Sequence, residues 1–239
     1  MPVFVLDSQR LYFPPAYLAN EEGILAIGGD LRPERLLLAY QNGIFPWFND
    51  NMPPLWWSPN PRFVLYPSKI KVSKSMKQLL KQKKFRVTFN QAFEQVMRGC
   101  QQTPRKNGNG TWISDELIES FCVLHYRGVA HSVEVWQGSE LVGGLYGIII
   151  GKYFSGESMF TRVSNASKYG FIIWTQNLQR HGFEIIDCQT YTDHLASLGA
   201  EMISRLEFLE ILRRNQQTDF YSNLEMVASF QPYYSFEGL

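Results

Sequence analysis

The sequence predicts an α+β protein of two parts: a small N-terminal domain over residues 1–61 and a larger domain over residues 62–239 built on a mostly antiparallel central sheet. Three observations predict it. Residues 1–61 are broken at short intervals by Pro and Gly. Residues 132–160 are rich in β-branched and aromatic residues and are cut by turn residues, the pattern of an antiparallel meander. Segments with helical spacing flank that meander on both sides, which fits helices packed on a sheet.

The small domain is punctuated by Phe13-Pro14-Pro15, Gly28-Gly29-Asp30, Phe45-Pro46-Trp47 and Pro53-Pro54, and reads as loop-rich. Pro33 suits the first turn of a helix, Leu36, Leu37 and Tyr40 share its buried face, and Gly43 follows its end. The run Leu55-Trp56-Trp57-Ser58-Pro59-Asn60-Pro61 closes the domain.

From Arg62 the pattern turns to strands and helices. Residues 62–66 and 85–89 read as strands, and residues 73–81 as a basic helix. Asn90 is placed to cap a helix through Arg98. Past a Gly- and Asn-rich loop at 107–110, Ser114 caps a helix reaching Arg127, with Asp115 and Glu116 in its first turn. The meander strands are expected at 132–136, 141–150 and 152–160. An amphipathic helix over 165–180 follows, stopped by Gly182. A strand over 183–188 comes next, and Ser204-Arg205-Leu206-Glu207 is a capping box opening a final helix.

The chain has 239 residues, 45% hydrophobic and 15% aromatic, enough to bury a core and unlike a disordered chain. No apolar run reaches the ~18–20 residues that span a bilayer. The first residues lack the basic and apolar regions of a signal peptide. Cys100, Cys122 and Cys188 form no CxxC pair, so free thiols in a reducing cytoplasm are expected, without a zinc site.

Net charge is only +1, but its distribution is uneven. Between Arg62 and Lys106 stand twelve Lys or Arg residues and one acid, Glu94; the rest of the chain carries eleven basic and twenty-one acidic residues. The stretch reads as a polyanion site or as a solvated basic face.

Several segments resemble the leucyl/phenylalanyl-tRNA–protein transferase family. They are Gly28-Gly29-Asp30-Leu31, Tyr40-Gln41, Gly43-Ile44-Phe45-Pro46-Trp47-Phe48, Trp56-Trp57-Ser58-Pro59, Thr111-Trp112-Ile113, His131-Ser132-Val133-Glu134-Val135-Trp136, Gly156-Glu157-Ser158-Met159-Phe160, Asn165-Ala166-Ser167-Lys168 and Ile186-Asp187-Cys188-Gln189. The match continues from His194 through Gly199-Ala200. It runs from about Phe13 to Leu212; the tail from Asn215 carries no signature.

The resemblance implies a GNAT-like acyltransferase domain behind the small one. It implies transfer of Leu or Phe, less efficiently Met, from aminoacyl-tRNA to proteins with N-terminal Arg or Lys, marking them for N-end-rule degradation. A monomer is expected, with no membrane partner, cofactor or metal. An aminoacyl ester is already activated toward an amine, so aligning the two supplies much of the acceleration, with effective molarities of ~10⁵–10⁸ M. The lack of a Ser-His-Asp or HExxH pattern agrees with this.

Asp187 and Gln189 stand two apart, so on a regular strand they share a face. The resemblance makes them the catalytic pair: Gln189 accepts a hydrogen bond from the incoming α-amino group, and Asp187 orients it. Unaided, the residues read rather as a satisfied polar pair at a strand end. Glu157 reads as the partner of the acceptor's cationic Arg or Lys, or as half of an internal salt bridge with Arg162 or Lys168. Trp47 and Trp112, each in a polar loop, offer stacking faces for the terminal adenosine, whereas Trp56, Trp57 and Trp174 fit a core.

Leu145, Ile149, Phe154, Met159, Phe171 and Ile186 are candidates for the donor side-chain pocket, or for ordinary core. Lys74, Lys77, Lys81, Lys83, Lys84 and Arg86 are candidates for tRNA phosphates. Three residues beyond the Gln, relatives often carry an Asn near the adenine; this chain has Thr192. His194 is assigned a structural role. Two other readings remain: a tRNA-dependent transferase acting on cell-wall peptide precursors, and a non-catalytic tRNA-binding protein.

Overall fold

A computed structural model describes residues 3–49, 52–103, 111–216 and 219–234. The loop 107–110, with Arg105 and Lys106 of the basic stretch, lies outside the described residues.

The N-terminal part contains β1 (Phe4–Leu6), β2 (Ile24–Gly28), α1 (Pro33–Gln41), β3 (Phe45–Pro46) and β4 (Leu55–Trp57). Its strands form a sheet in the order β1-β2-β4-β3. The sequence reading of this part as loops and one helix is therefore corrected: strands this short, interrupted by Pro and Gly, carry too few alternations to show a period of two. The helix is as expected, with Pro33 opening it and Leu36 and Tyr40 buried. Gly43 ends it at φ 72°, and a Cβ there would lie 2.8 Å from Leu209 Cδ2.

The larger part continues through β5 (Arg62–Leu65), α2 (Lys74–Lys81), β6 (Arg86–Phe89), α3 (Phe93–Gln101) and α4 (Asp115–Tyr126). The meander is β7 (Ala130–Gln137), β8 (Glu140–Ile150) and β9 (Tyr153–Thr161). Then come α5 (Ala166–Arg180), β10 (Ile185–Gln189), α6 (Asp193–Ser197), β11 (Glu201–Ile203), α7 (Arg205–Arg214) and α8 (Tyr221–Ala228). The sheet order is β11-β5-β10-β9-β8-β7-β6. Each neighbouring pair is antiparallel except β9 with β10, which α5 joins as a crossover.

Strand β8 explains how this sheet is buried on both faces. Tyr146, Ile148 and Ile150 join α3, α4 and the small part in one apolar cluster. Leu145 and Ile149, on the opposite face, join α2 and α5 in another. Because the first cluster is continuous, the small part packs onto the larger part's α3–α4 face.

Ser114 and Ser204 cap α4 and α7 as expected, accepting from Leu117 N and Glu207 N. Asn90 does not cap α3. It adopts φ 58° and turns its amide to His131 and Ser132. The buried Glu134 carboxylate instead accepts from Gln91 N and Ala92 N at the start of that helix. The sequence reading also omits α6, β11 and α8, which are short or lie in the unmarked tail.

Candidate active site

A cavity of about 640 Å³ opens beside the parallel β9–β10 pair. It falls within the ~300–1,000 Å³ typical of small-molecule sites. Asp187, Gln189, Glu157, Trp47, Trp112 and Thr192 all line it, as do Leu145, Phe154, Met159, Phe171 and Ile186. Residues as far apart in the chain as Trp47 and Thr192 thus converge on one space. Ile149 does not line the cavity: it sits opposite Phe154 across the β8–β9 hairpin, fully buried in the core. The meander pattern gives Leu145 and Ile149 the same face, but only the part of β8 near Leu145 borders the open space.

The β10 end is irregular. The pairing of β10 with β5 shifts between Asp187 and Gln189, and Gln189 takes φ 64°. The two side chains are therefore not related by simple strand alternation. A local turn couples them instead, with Gln189 N donating to Asp187 Oδ1 at 2.8 Å.

Asp187 is fully buried. Arg62 Nε and Nη2 donate to its two oxygens at 2.8 and 2.6 Å, and the Tyr153 hydroxyl donates at 3.1 Å. Gln189 turns its side chain the other way, and its Nε2 donates to Glu157 Oε1 at 2.7 Å. The Ser155 hydroxyl lies 3.3 Å from both Glu157 Oε1 and Asp187 Oδ2.

Glu157 forms no ion pair with Arg162 or Lys168. Its Oε2 is buried, and the Tyr40 hydroxyl faces this carboxyl from α1, close enough to favour its charged form but without the geometry of a full hydrogen bond. Burial pushes the Glu157 carboxyl up to about 8, and the Asp187 charge adds to the rise; Tyr40, Ser155 and Arg62 oppose it.

Trp47 is 44% exposed and leans on Trp57, ring centroids 5.5 Å apart. Trp112 is only 8% exposed, yet borders the cavity. Trp56 and Trp174 are core residues, whereas Trp57 is half-buried. Thr192 Oγ1 accepts from Leu195 N and so caps α6, leaving the hydroxyl proton to donate. His194, given a structural role from sequence, also lines the cavity; its Nε2 is buried without a partner, and burial together with Lys168 lowers its pKa.

The basic candidates stand apart from the cavity. Lys74, Lys77, Lys81, Lys83, Lys84 and Arg86 are exposed on α2, the following turn and the sheet-edge strand β6. Other members of the basic stretch are internally paired: Arg62 with Asp187, Lys69 with Glu201, and Arg98 with Glu94 and Asp115.

Sequence reasoning missed Arg62, Tyr40, Tyr153 and Ser155. Arg62 did carry a signal: it opens the apolar run Phe63-Val64-Leu65, and a buried guanidinium requires a carboxylate. Among the described residues, no cluster of three or more His, Cys, Asp or Glu side chains is arranged to hold a metal ion. No helix among them is long and apolar enough to cross a membrane.

An apolar chamber edged by two indoles, one exposed and one buried, with a polar amide at its floor, fits a transferase. The chain belongs to the leucyl/phenylalanyl-tRNA–protein transferase family. The family's sequence profile, Leucyl/phenylalanyl-tRNA protein transferase, matches residues 64–213, and the profile of its N-terminal domain matches residues 29–60. The chain is 56% identical over 203 residues to the leucyl/phenylalanyl-tRNA–protein transferase of Flavobacterium johnsoniae, covering 85% of this chain and 96% of that protein. It is 55% identical over 202 residues to that of Christiangramia forsetii, covering 84% and 95%. Among solved structures, a GCN5-related N-acetyltransferase from Kribbella flavida gives a TM-score of 0.34 at 9% identity, over 70% of this chain and 60% of that one.

Proposed function

We propose that this chain moves Leu or Phe, less efficiently Met, from aminoacyl-tRNA to the α-amino group of proteins beginning with Arg or Lys. The modified proteins are thereby marked for N-end-rule degradation in the cytoplasm, and the enzyme acts as a monomer. Residues 1–61 are read as the small domain and residues 62–239 as a GNAT-like domain.

One observation carries the reading. The Gln189 Nε2–Glu157 Oε1 bond fixes which way the Gln189 amide points. Its Oε1 then has no protein donor among the described residues, and the residue borders the cavity. An amide oxygen is a good acceptor and a very weak base. It can hold an N–H of a neutral α-amine and direct the lone pair at an ester carbonyl without keeping a proton.

The donor side chain occupies the apolar wall of Leu145, Phe154, Met159, Phe171 and Ile186. Trp47, Trp112 and Thr192 receive the terminal adenosine. Glu157 Oε2, buried beside the Tyr40 hydroxyl, offers an acceptor for the guanidinium or ammonium of the first acceptor residue. The new C–N bond forms as the ester C–O bond breaks, and the proton lost by the amine ends on the departing ribose hydroxyl. A chamber that selects by shape against side chains branched at Cβ tolerates Leu, Phe and Met together, since a methylene contributes only ~1–3 kcal/mol of discrimination.

The test is single-turnover transfer of labelled Phe from Phe-tRNA to a peptide beginning with Arg, beside a matched peptide beginning with Asp and a peptidoglycan-precursor peptide. Label entering the Arg peptide alone is expected. Label entering the precursor, or tRNA binding with no transfer, overturns the reading.

A further inference from the structure

A buried guanidinium is unfavourable unless every donor direction is used. Arg62 is 1% exposed. Its Nε and Nη2 form the fork on Asp187 already described, and its Nη1 donates to the Gly43 carbonyl at 3.2 Å. The guanidinium carbon also lies 4.7 Å from the Phe45 ring centroid and 4.5 Å from that of Phe208. Gly43 and Phe45 belong to the small part, and Phe208 to α7.

Asp187 is committed in turn. Arg62 Nε and Nη2, the Tyr153 hydroxyl and Gln189 N donate to it, and the Ser155 hydroxyl lies within 3.3 Å of its Oδ2. A carboxylate has about four acceptor positions. Asp187 therefore acts on a substrate through Gln189. Its Oδ1 is shared between Arg62 Nε and Gln189 N, so the guanidinium and the left-handed turn meet at one atom. A non-glycine residue keeps a positive φ only where its surroundings fix it.

We propose that Arg62 is a positioning residue for aminoacyl transfer: acting through Asp187, it holds the turn that presents the Gln189 amide, and it ties that turn to the seat of the small domain at Gly43 and Phe45. This rests on the transfer reaction proposed above. Planarity is central, because the fork, the Gly43 contact and the two ring contacts use one rigid group. Lysine keeps the charge but not the fork.

The experiment compares full-length Arg62→Lys, Arg62→Gln and Asp187→Asn with the wild type. Three quantities are read: kcat for transfer, the Kd of a non-hydrolysable phenylalanyl-adenosine amide, and the Gln189 backbone amide resonance in ¹⁵N-glutamine-labelled protein. For Arg62→Lys, kcat should fall ~10²-fold, the scale of a small misplacement of a reacting group. The analogue Kd should hold, and the Gln189 resonance should move. Combining Arg62→Lys with Asp187→Asn should cost no more than either alone. A lowered melting temperature with kcat and the resonance unchanged would leave Arg62 a structural residue and overturn the proposal, as would independent losses in the double variant. Should Arg62→Gln not fold, Arg62→Lys and the near-isosteric Asp187→Asn decide the matter. A wild type inactive in transfer would sink the proposed function, while the Gln189 resonance would still judge the role of Arg62.

Discussion

The Gln189 side-chain amide donates to Glu157 Oε1 at 2.7 Å, so the residue read as holding the nucleophile and the residue read as holding the acceptor's cation are fixed to each other. The amide's nitrogen is used within the protein and its oxygen is left for a ligand. Glu157 in turn keeps its second oxygen buried beside the Tyr40 hydroxyl. An acceptor N-terminus offers an amine and, one side chain away, a cation; the two residues present an acceptor oxygen to each.

Glu157 should release a proton when a cationic acceptor binds. With the carboxyl pushed up to about 8 by burial, it is largely protonated in the free protein near neutral pH. A guanidinium favours the carboxylate and expels the proton. Calorimetry of N-acetyl-argininamide binding at pH 7, in buffers of different ionisation enthalpy, should show that release. Glu157→Gln should abolish it and weaken binding. Equal heats in every buffer would remove Glu157 from the acceptor site.

The same carboxyl makes a stability prediction. Its folded pKa of about 8 stands above the ordinary value of 4.5, so its contribution is fully present below about 4.5 and is lost as pH rises through about 8. Glu157→Gln cannot ionise and escapes that loss. Melting temperatures measured from about pH 5 to about pH 9 should therefore shift in favour of the variant as pH rises. A difference that stays constant with pH would show that the wild-type carboxyl ionises freely.

The family resemblance, not composition or spacing, singled out Asp187, Gln189 and Glu157; unaided, Asp187 and Gln189 read as a satisfied polar pair at a strand end. Trp47 and Trp112 carried a signal of their own, as aromatics set in polar loops. The meander was legible because β8 and β9 are long enough to show their composition and turns. What escaped depends on distant partners. The Arg62–Asp187 pair spans 125 positions. The left-handed turn at Gln189 breaks the alternation that placed Asp187 and Gln189 side by side. Glu134 replaced Asn90 at the start of α3 because a carboxylate from a neighbouring strand reached amides that local sequence assigned to a local cap.

Trp47→Ala and Trp112→Ala should each weaken binding of an aminoacyl-adenosine analogue by ~1–3 kcal/mol, the worth of one stacked base. Trp112 is the more buried, so its variant is checked for an intact fold by near-ultraviolet circular dichroism. Unchanged analogue affinity in a folded variant would exclude that indole from the adenosine site.

The basic surface is tested by two donors. Replacing Lys74, Lys77, Lys81, Lys83 and Lys84 with Ala should weaken tRNA binding and flatten its salt dependence, each lost phosphate contact lowering the slope by about 0.7–0.9. Transfer from a minimal aminoacyl-adenosine should not change, because these side chains lie outside the cavity. Equal losses with both donors would point to a damaged fold, and no loss with either to a merely solvated face.

The most direct measurement is single-turnover transfer by Gln189→Ala from Phe-tRNA to a peptide beginning with Arg, with tRNA affinity measured on the same protein. If the Gln189 oxygen holds the attacking amine, the transfer rate should fall ~10²-fold, as expected when a nucleophile loses its alignment, while tRNA affinity stays as in the wild type. A variant that binds tRNA normally and transfers Phe at the wild-type rate would contradict the account.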